Sequence, residues 1–472
     1  MRLLVSCIPF DGGKSGISVY CREVVARLAR QGHELTLLLE PDVAAADVFP
    51  DAATCTPRIW RAPRWTRRPA LSMLWHLAAL PLRIRLHRKD FDAFVLCSAN
   101  RRVCAFYPLP TVATVHDLAT WTVAGKYSPL RMFYARRILP VFAKNAGAIV
   151  AVSESTKADL VRFWKCLPDE IEVLYEGLGG VLRDGGVFGG PSNGAGILYI
   201  SRIEHPGKNH IRLIEAYEKL PRDMARAHPL VFVGADWNGA EAVHDRVSVS
   251  PYAKYVRFAG FVPDDALEVL WAQSGFYVFP SLFEGFGLSL VEAMARGLSC
   301  ACSKNGSLGE LGRGVALTFD PYDPDEMAGA LAKLLSEPPA DRAARIRNGL
   351  RRAAGFSWER HAEGLVRLLD ARRAPPPGTP SVFGVRIDAD TGADAVGRIR
   401  SGGGKFFAFA NAHCLNVACR DGRYRRILDE DCDRVWPDGV GVAIAGRALG
   451  FPVPENLCGT DLVPAAMAAG GL

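Results

Sequence analysis

The sequence predicts an α/β protein built on parallel sheets, and three observations lead to that class. Short apolar runs alternate with amphipathic stretches from the start, as in RLLVSCI, VYCREVVARLARQG and ELTLLLE, and this alternation is typical of a parallel sheet. The apolar runs are rich in Val, Ile and Ala and end in small or polar residues, which suits strands buried on both faces. The length of 472 residues predicts roughly three folded units of about 150 residues each.

Composition excludes a disordered chain and a small module held together by disulfides. Apolar residues make up 49% of the chain and charged residues 23%, which is the balance of a globular protein. No apolar run reaches the ~20 residues that a membrane-spanning helix needs. The 12 cysteines include no CxxC pair, and several lie in apolar runs, as Cys97 and Cys300 do. These features indicate reduced, buried thiols and a cytoplasmic protein.

The first unit is predicted at residues 1–182. Its first segment, MRLLVSCIPFDGG, is too short and too soon interrupted for a signal peptide and instead predicts a strand followed by a glycine loop. A helix ending near Gly32 and a strand in ELTLLLE follow, and then come the strands DAFVLC, TVATVHD and AIVAVSE. The glycine-dense stretch RDGGVFGGPSNGAG predicts a linker at residues 183–196.

The alternation then begins again, which predicts a second unit at residues 197–372. Its strands are expected in GILYISR, LVFVGA, VRFAG and FYVFP, and its helices in HIRLIEAYEKL, DDALEVLWAQ and LSLVEAMARG. The proline cluster in ARRAPPPGTPS cannot continue a helix, so it predicts a second linker at residues 373–380.

A third α/β pattern occupies residues 381–472. Its apolar runs are SVFGVRID, KFFAFAN and RVWPDGVGVAIAGRALG, with a helix near CLNVACRDGRYRRIL. About 90 residues are few for a doubly wound domain. We therefore expect a partial third α/β domain.

The most informative segment is FPSLFEGFGLSLVEAMARG, in which Glu284 and Glu292 are eight positions apart. Glu284 lies in a glycine-flanked loop. Glu292 falls inside an apolar helix, where a carboxylate is costly unless it accepts hydrogen bonds. A partner with hydroxyl donors, such as ribose, would satisfy it, and a solvated helix face is the alternative.

Two loops between a strand and a helix are candidate phosphate sites. ISRIEHPGKNHIRLIEAY places Arg202 and Lys208 before a helix, where cations and unpaired amides together suit a diphosphate. Surface cations are the alternative. After the first strand, Gly13 and Gly16 would let a diphosphate or sugar approach the backbone, although a plain turn explains them equally well. The loop is not a P-loop, because Ile8 stands where its first glycine is required.

The segments ISRIEHPGKNH, GFVPDDAL and PSLFEGFGLSLVEAMARG resemble the C-terminal half of a family 4 glycosyltransferase. GGKSGISVY, TVHD and AVSESTKADL fit the same family in order, so the resemblance covers about residues 1–370. It implies the GT-B fold of two Rossmann-like lobes and transfer of a sugar from a nucleotide donor with retention at the anomeric carbon. It also implies that Arg202 and Lys208 neutralise the departing diphosphate without a metal, and that Glu284 contacts the donor sugar and Glu292 the ribose.

The resemblance implies two further site residues. His116, at the end of TVATVH, would point into the cleft between the lobes near the reacting sugar, whereas a lone histidine after a strand is otherwise usually structural. Glu310 lies in SKNGSLGEL, a loop in which family members bind sugar or phosphate through backbone amides. SLGE departs slightly from the commoner SxxPE form.

The third unit resembles the first part of the WecG/TagA/CpsF family, inverting transferases that act on lipid-linked acceptors. FANAHCLNVACRDGRYRRIL, VWPDGVGVAIAGRALG and CGTDLVP carry that resemblance. It implies that Asp438 is a general base, since an inverting transfer needs a carboxylate to take the acceptor's proton, and that Asn411 and Asp461 bind substrate. Phe409 stands where many members have Thr, and the family's C-terminal part is absent from the sequence. We expect a folded, inactive fragment rather than an active second site.

The net charge of +7 comes from one stretch. Nine Lys and Arg residues and no Asp or Glu lie between Arg58 and Lys89, interleaved with Trp60, Trp65 and Trp75. Cations with tryptophan suit an anionic lipid surface. Nucleic acid is the rival partner, but no nucleic-acid motif accompanies the stretch. A solvated helix face is the remaining alternative.

Together these features predict a glycosyltransferase of bacterial surface-polysaccharide assembly, peripheral on the inner face of the plasma membrane. The donor would be a GDP- or UDP-linked sugar, with mannose as the guess, and the acceptor a glycan or a polyprenyl-diphosphate-linked glycan. No metal or further cofactor is expected. The alternative is a sugar-nucleotide-binding scaffold protein in which catalysis is lost.

Overall fold

A computed structural model of the chain describes residues 1–8, 10–13, 15–49, 56–123, 129–178, 194–372, 381–382, 385–401, 405–449 and 453–469. The chain divides into two compact units, Met1–Leu369 and Asp370–Leu472. The predicted linker at 183–196 lies outside the described residues except for 194–196, and the predicted linker at 373–380 lies wholly outside them.

Two parallel sheets form the larger unit, and the first sheet defines its first lobe. In the described residues this sheet has seven strands in the order β3-β2-β1-β4-β5-β6-β7. All neighbours pair in parallel. The strands are β1 (Arg2–Ser6), β2 (Glu34–Leu39), β3 (Arg58–Arg61), β4 (Ala93–Leu96), β5 (Thr111–Val115), β6 (Ala148–Ala151) and β7 (Ile171–Val173).

The second sheet defines the second lobe. Its six described strands follow the order β10-β9-β8-β11-β12-β13 and also pair in parallel. The strands are β8 (Gly196–Ile200), β9 (Leu230–Val233), β10 (Val256–Gly260), β11 (Ser274–Phe279), β12 (Ser299–Ser303) and β13 (Leu317–Phe319). Two Rossmann-like lobes confirm the α/β class that the sequence predicts.

Helices connect the strands because parallel pairing requires a crossover between neighbours. In the first lobe they are α1 (Gly16–Arg30), α2 (Ala45–Val48), α3 (Pro69–Leu74), α4 (Leu80–Leu86), α5 (Ala119–Thr122), α6 (Pro129–Phe133), α7 (Leu139–Ala143) and α8 (Glu154–Asp159). After β8 they are α9 (His210–Glu218), α10 (Arg222–Ala227), α11 (Ala240–Ser248), α12 (Asp264–Gln273), α13 (Leu288–Ala295), α14 (Gly306–Gly312), α15 (Pro324–Leu335), α16 (Pro339–Ala353) and α17 (Trp358–Asp370). Single turns of π-helix join α3 to α4 and α6 to α7.

The strands of the first sheet are buried on both faces, as their apolar sequences predict. Leu3 and Val5 face one core of the first lobe, and Leu4 between them faces the other. Adjacent residues of a strand point to opposite faces of the sheet. A run of consecutive apolar residues is therefore needed to fill both cores.

The last helix of the larger unit, α17, packs against the first lobe although it follows the strands of the second. One face of this helix is fully buried among residues of β1, β2 and α1. His361 of this helix also contacts α1, because its Nε2 lies 2.8 Å from the Tyr20 hydroxyl. The chain thus returns to the first lobe through the buried residues Trp358, Ala362, Leu365 and Leu369.

The smaller unit is a short α/β arrangement. Its described strands form an antiparallel pair, β14 (Ser381–Val382) with β15 (Val385–Arg386), and a parallel pair, β16 (Phe407–Ala410) with β17 (Arg434–Pro437). Its helices are α18 (Gly392–Arg400), α19 (Ala412–Arg420), α20 (Gly422–Arg426), α21 (Val440–Leu449) and α22 (Gly459–Ala468). This confirms a third α/β unit.

Searched over the described residues, no helix combines the length and the apolar character that crossing a bilayer requires.

Candidate functional site

The predicted site residues of the larger unit follow the carboxyl ends of strands. The order of the first sheet reverses between β1 and β4, and that of the second between β8 and β11. In open parallel sheets, ligands bind at such switch points, because the connections on either side diverge and leave a crevice. Gly13 follows β1, Lys208 follows β8 and Glu284 follows β11, so all three lie at the binding edges.

The glycine loop after β1 approaches the second lobe. Gly13 has φ +89°, a conformation that glycine adopts without strain. Gly16 is the first residue of α1, and a Cβ atom there would lie 3.6 Å from Cδ1 of Leu288, the first residue of α13. The N-termini of α1 and α13 are therefore neighbours. Two helix N-termini with unpaired amides favour an anion between them.

Lys208 and Glu284 form an ion pair at the edge of the second sheet. The Nζ atom of Lys208 lies 2.6 Å from Oε1 of Glu284, and the two side chains are 17% and 16% exposed. The backbone beside the lysine is also fixed, because the Tyr199 hydroxyl donates to the Lys208 carbonyl at 2.7 Å. The structure thus brings together a cation and a carboxylate that are 76 positions apart in sequence.

Asn209 is a positioning residue that the sequence interpretation did not identify. It has φ +62° and precedes α9. Its side-chain amide donates to the carbonyls of Pro280, at 3.0 Å, and Pro321, at 2.6 Å. These bonds fasten the Lys208 loop to the loop after β11. The signal was an asparagine directly before a helix, since asparagine favours caps and tolerates positive φ.

Arg202 contacts Trp237 and Glu204. Its guanidinium stands 4.8 Å from the centre of the Trp237 ring, and Nη2 is 3.4 Å from Oε2 of Glu204. Both predicted phosphate ligands therefore follow β8, but only Lys208 contacts a further predicted site residue.

Gly285 packs directly against the first lobe. A Cβ atom there would lie 1.7 Å from the His116 carbonyl oxygen. The Gly285 carbonyl accepts hydrogen bonds from the hydroxyls of Ser153, at 2.6 Å, and Thr156, at 3.1 Å. Gly285 and Ser153 belong to the segments EGFG and AVSEST, which carried the family resemblance. The sequence did not predict that these two segments are in contact.

His116 is 7% exposed, and both of its ring nitrogens face acceptors. Nε2 lies 2.8 Å from the Cys97 carbonyl, and Nδ1 lies 3.1 Å from Oε1 of Glu176. A carbonyl only accepts, so Nε2–H donates to Cys97, and Nδ1 faces the Glu176 carboxylate. The ring is thereby fixed, while its backbone carbonyl meets Gly285. A role of His116 at the reacting sugar stays a prediction.

Glu292 lies in the second turn of α13 and is partly buried. Its neighbours Leu290, Val291, Ala293 and Met294 are at most 1% exposed. The helix is therefore packed on the faces next to Glu292, as its apolar sequence predicts. Binding of ribose by this carboxylate stays a prediction.

The Glu310 carboxylate joins α14 to the first lobe. It accepts hydrogen bonds from the backbone amides of Glu154, at 3.2 Å, and Ser155, at 2.9 Å, which begin α8. The Tyr175 hydroxyl also donates to it at 2.7 Å. A carboxylate is stabilised at a helix N-terminus. In this arrangement Glu310 holds the lobes together, and its predicted contact with the donor is untested.

Three thiols form the one group of potential metal ligands in the described residues. The Sγ atoms of Cys7, Cys21 and Cys97 lie within 4.8 Å of one another, and the three residues are fully buried. Hydrogen bonding with Cys21 and burial raise the pKa of the Cys7 thiol. A raised pKa favours the protonated thiol, whereas metals bind the thiolate. The three cysteines are buried, as the sequence predicts for thiols in apolar runs.

In the smaller unit, two of the predicted site residues lie side by side. Asn411 and Asp438 directly follow β16 and β17, whose last residues pair. The Asp438 amide donates to the Ala410 carbonyl at 3.0 Å, and Oδ1 of Asn411 caps α19 by accepting from the Cys414 amide at 3.0 Å. Asp461 is exposed in the first turn of α22. Their roles stay predictions.

Known families match all three parts of the chain. Residues 14–178 match the family Glycosyltransferase Family 4, and residues 188–352 match Glycosyl transferases group 1. Residues 380–471 match the Glycosyl transferase WecG/TagA/CpsF family.

Relatives named as mannosyltransferases are among the similar proteins. The O-antigen chain mannosyltransferase B of Escherichia coli is 26% identical over 394 residues, which span 76% of this chain and 97% of that protein. The serotype-specific mannosyltransferase WbdA of Escherichia coli is 27% identical over 318 residues, which span 62% of this chain but 38% of that protein.

Solved structures share the fold of the larger unit. Anabaena HepE in complex with UDP and glucose has a TM-score of 0.58 at 19% identity, covering 78% of this chain and 99% of that one. A sucrose-phosphate synthase from Thermosynechococcus elongatus has a TM-score of 0.61 at 18% identity, covering 78% and 98%. The fold is the GT-B arrangement that the resemblance implied. The chain therefore belongs to the glycosyltransferases, carrying the two domains of family 4 and group 1 followed by a domain of the WecG/TagA/CpsF family.

Proposed function

We propose that the chain transfers a hexose, with mannose as the first candidate, from a GDP- or UDP-linked donor to a glycan or polyprenyl-linked acceptor. The reaction retains the configuration at the anomeric carbon and serves the assembly of a bacterial surface polysaccharide. Support comes from the similarity to an O-antigen chain mannosyltransferase over 97% of its length. The UDP held by a protein of the same fold supports a nucleotide-linked donor.

The observation that carries the proposal is the 2.6 Å ion pair between Lys208 and Glu284. It lies at the switch point of the second sheet, and Glu284 is followed by the loop that leads into α13. The cation and the carboxylate are mostly buried, and they precede the N-termini of α9 and α13 respectively. They form a polar site beyond the carboxyl ends of β8 and β11. Such a site can hold a diphosphate and a sugar together.

In the proposed transfer, the bond between the anomeric carbon and the diphosphate breaks, and an acceptor hydroxyl oxygen bonds to the same face of that carbon. Negative charge develops on the departing diphosphate, which takes the proton of the acceptor hydroxyl. Stabilising charge that develops in the transition state is usually the largest catalytic effect. Lys208, Arg202 and the amides that begin α1 and α13 supply positive charge for the diphosphate. Glu284 accepts hydrogen bonds from hydroxyls of the donor sugar, and Glu292 accepts them from hydroxyls of the ribose.

Thermal stabilisation by nucleotide sugars tests the donor site, because a ligand that binds the folded state raises the melting temperature. We expect one GDP- or UDP-sugar to stabilise the protein. Lys208→Ala and Glu284→Ala should lose this shift and lower transfer by about 10²–10³-fold, the usual loss for one charge-stabilising group.

Lys219→Ala is the matched control, because Lys219 pairs with Asp325 on the exposed surface of the same lobe. It should keep both the shift and the activity. Full transfer by the Lys208 and Glu284 variants would remove them from the site. Donor binding without transfer to glycan or polyprenyl-linked acceptors would instead favour the scaffold alternative.

A further inference from the structure

A pocket separate from the Lys208–Glu284 site lies in the first lobe, at the carboxyl ends of β4 and β5, and its empty space, open solvent included, is about 530 Å³. β4 is the strand at which the order of the first sheet reverses. The pocket is lined by Arg101 and Arg102 after β4, by Asp117 after β5 and by Arg131 of α6. Three guanidinium groups and one carboxylate thus line this wall.

Arg102 is partly buried, and no carboxylate of the described residues lies within ion-pair distance of it or of Arg101. The Arg102 guanidinium donates instead to the Ser72 hydroxyl, at 3.2 Å, and to the Arg101 carbonyl, at 2.9 Å. Burial lowers the pKa of Arg102. Glu40 attracts this guanidinium without forming an ion pair with it. A buried cation that no carboxylate contacts directly is costly, and a bound anion would offset that cost.

Two aromatic donors also line the pocket. Trp164 is 3% exposed, and its indole N–H has no hydrogen-bond partner in the described part of the chain. Burial raises the pKa of Tyr134 to about 12, so its hydroxyl keeps its proton at neutral pH. Buried donors are normally satisfied, and the indole can only donate. The pocket therefore combines positive charge with donors, which is what phosphate oxygens require.

The pocket is flanked by helices that expose apolar side chains. Met73 of α3 lines one side, and α3 and α4 expose Leu74, Leu82 and Leu86 by 61%, 54% and 83%. Leu139 of α7 lines another side, and the stretch from α6 to α7 exposes Leu130, Phe133 and Val141. Exposed apolar residues next to arginines suit the boundary between lipid headgroups and acyl chains.

We infer that this pocket binds the phosphate or diphosphate group of a lipid-linked acceptor, with the lipid chain leaving between the two flanking helices. The inference rests on the proposed function and specifies its acceptor. The geometry connects the pocket to the donor site, because Asp117 lines the pocket while the adjacent His116 carbonyl meets Gly285. An anchored diphosphate would hold the acceptor glycan at this junction.

Titration with farnesyl diphosphate, inorganic pyrophosphate and farnesol tests the pocket, with tryptophan fluorescence or calorimetry as the readout. Wild-type protein should bind farnesyl diphosphate more tightly than pyrophosphate and bind farnesol weakly. Arg101→Gln and Arg131→Gln should each weaken binding by about tenfold or more, the usual loss for a charge-assisted hydrogen bond. Arg137→Gln, an exposed position between α6 and α7 outside the pocket lining, is the matched control.

Equal binding by Arg101→Gln, Arg131→Gln and Arg137→Gln would overturn the inference. If pyrophosphate binds as tightly as farnesyl diphosphate, the pocket binds free phosphate groups and the assignment to a lipid-linked acceptor is overturned. Lys208→Ala should retain farnesyl diphosphate binding, which separates the pocket from the donor site. Thermal stabilisation by nucleotide sugars is measured separately. If no nucleotide sugar stabilises the wild-type protein, the proposed function is contradicted, and the farnesyl diphosphate titration still tests the pocket.

Discussion

At the residue scale, Gly285 shows why a glycine separates Glu284 from Phe286. The space for its Cβ is filled by the His116 carbonyl oxygen, at 1.7 Å. Any side chain must push the two lobes apart. The loop that carries Glu284 therefore reaches the first lobe only through a residue without a side chain.

Gly285→Ala should lower transfer by at least tenfold while each lobe stays folded, because the clash lies at the contact between lobes and not in a core. Steady-state kinetics and circular dichroism measure the two effects. Gly329→Ala is the control, since a Cβ there meets nothing within 4 Å. Wild-type activity in Gly285→Ala would show that catalysis does not need this close approach.

His361 gives a second prediction at this scale. Its Nδ1 lies 3.1 Å from the Leu174 carbonyl, and Nε2 lies 2.8 Å from the Tyr20 hydroxyl. Burial lowers the pKa of His361 from 6.5 to about 4. At pH values between about 4 and 6.5, His361 binds a proton in the unfolded chain but not in the folded chain. The free energy of unfolding therefore falls as the pH falls from 6.5 to about 4.

The loss from His361 amounts to roughly 3 kcal/mol when the pH reaches about 4, at about 1.4 kcal/mol for each pKa unit. Urea unfolding at pH 7, 6 and 5 measures the slope. His361→Gln should reduce the pH dependence of the free energy of unfolding by the contribution of one proton. The contributions of His76 and His210, whose pKa values burial lowers to about 3, should remain. An unchanged slope would contradict the buried neutral state of His361.

At the scale of elements, α17 is the helix that returns from the second lobe to the first. Its sequence follows the second lobe, yet its apolar face completes a core of the first. Periodicity predicts which face of a helix is apolar, but it does not say which sheet covers that face. Chain order alone therefore assigns α17 to residues 197–372, whereas its packing lies with β1, β2 and α1.

Leu365→Ala should destabilise the first lobe by about 2–5 kcal/mol, because it leaves a cavity in that core. Leu365 is fully buried, whereas Glu363 on the same helix is exposed. Glu363→Ala should change stability by about 0.5 kcal/mol or less. Chemical denaturation with a probe in each lobe locates the effect. Loss confined to the second lobe would contradict the packing of α17.

At the scale of the whole molecule, the basic stretch is less uniform than its sequence indicates. Trp65 is 50% exposed, but Trp75 is buried at 4%, and Trp60 packs beneath the Arg83 guanidinium at 4.2 Å. Arg67 forms an ion pair with Asp42, outside the stretch. The exposed part includes a surface at and just after α4, formed by Leu82, Arg85, Leu86 and Arg88.

This surface should bind liposomes that contain phosphatidylglycerol and not liposomes of phosphatidylcholine alone. Arg85→Gln with Arg88→Gln should weaken membrane binding by about 30-fold, since each basic residue near an anionic surface contributes about 1 kcal/mol. Arg347→Gln with Arg351→Gln, exposed on α16, is the matched control. Binding that ignores anionic lipid would leave the stretch as a solvated face.

Repeated strand and helix patterns predicted the α/β class, because buried parallel strands leave local patterns, and motif resemblances predicted the families that match the three parts of the chain. Sequence also singled out Lys208 and Glu284 through a motif. Tertiary structure alone decided that Lys208 contacts Glu284, that Gly285 meets His116, that Glu310 caps α8 and that Arg101, Arg102 and Arg131 line one pocket. These contacts join residues far apart in the chain, and the order of strands in a sheet, which no local pattern encodes, is what brings them together.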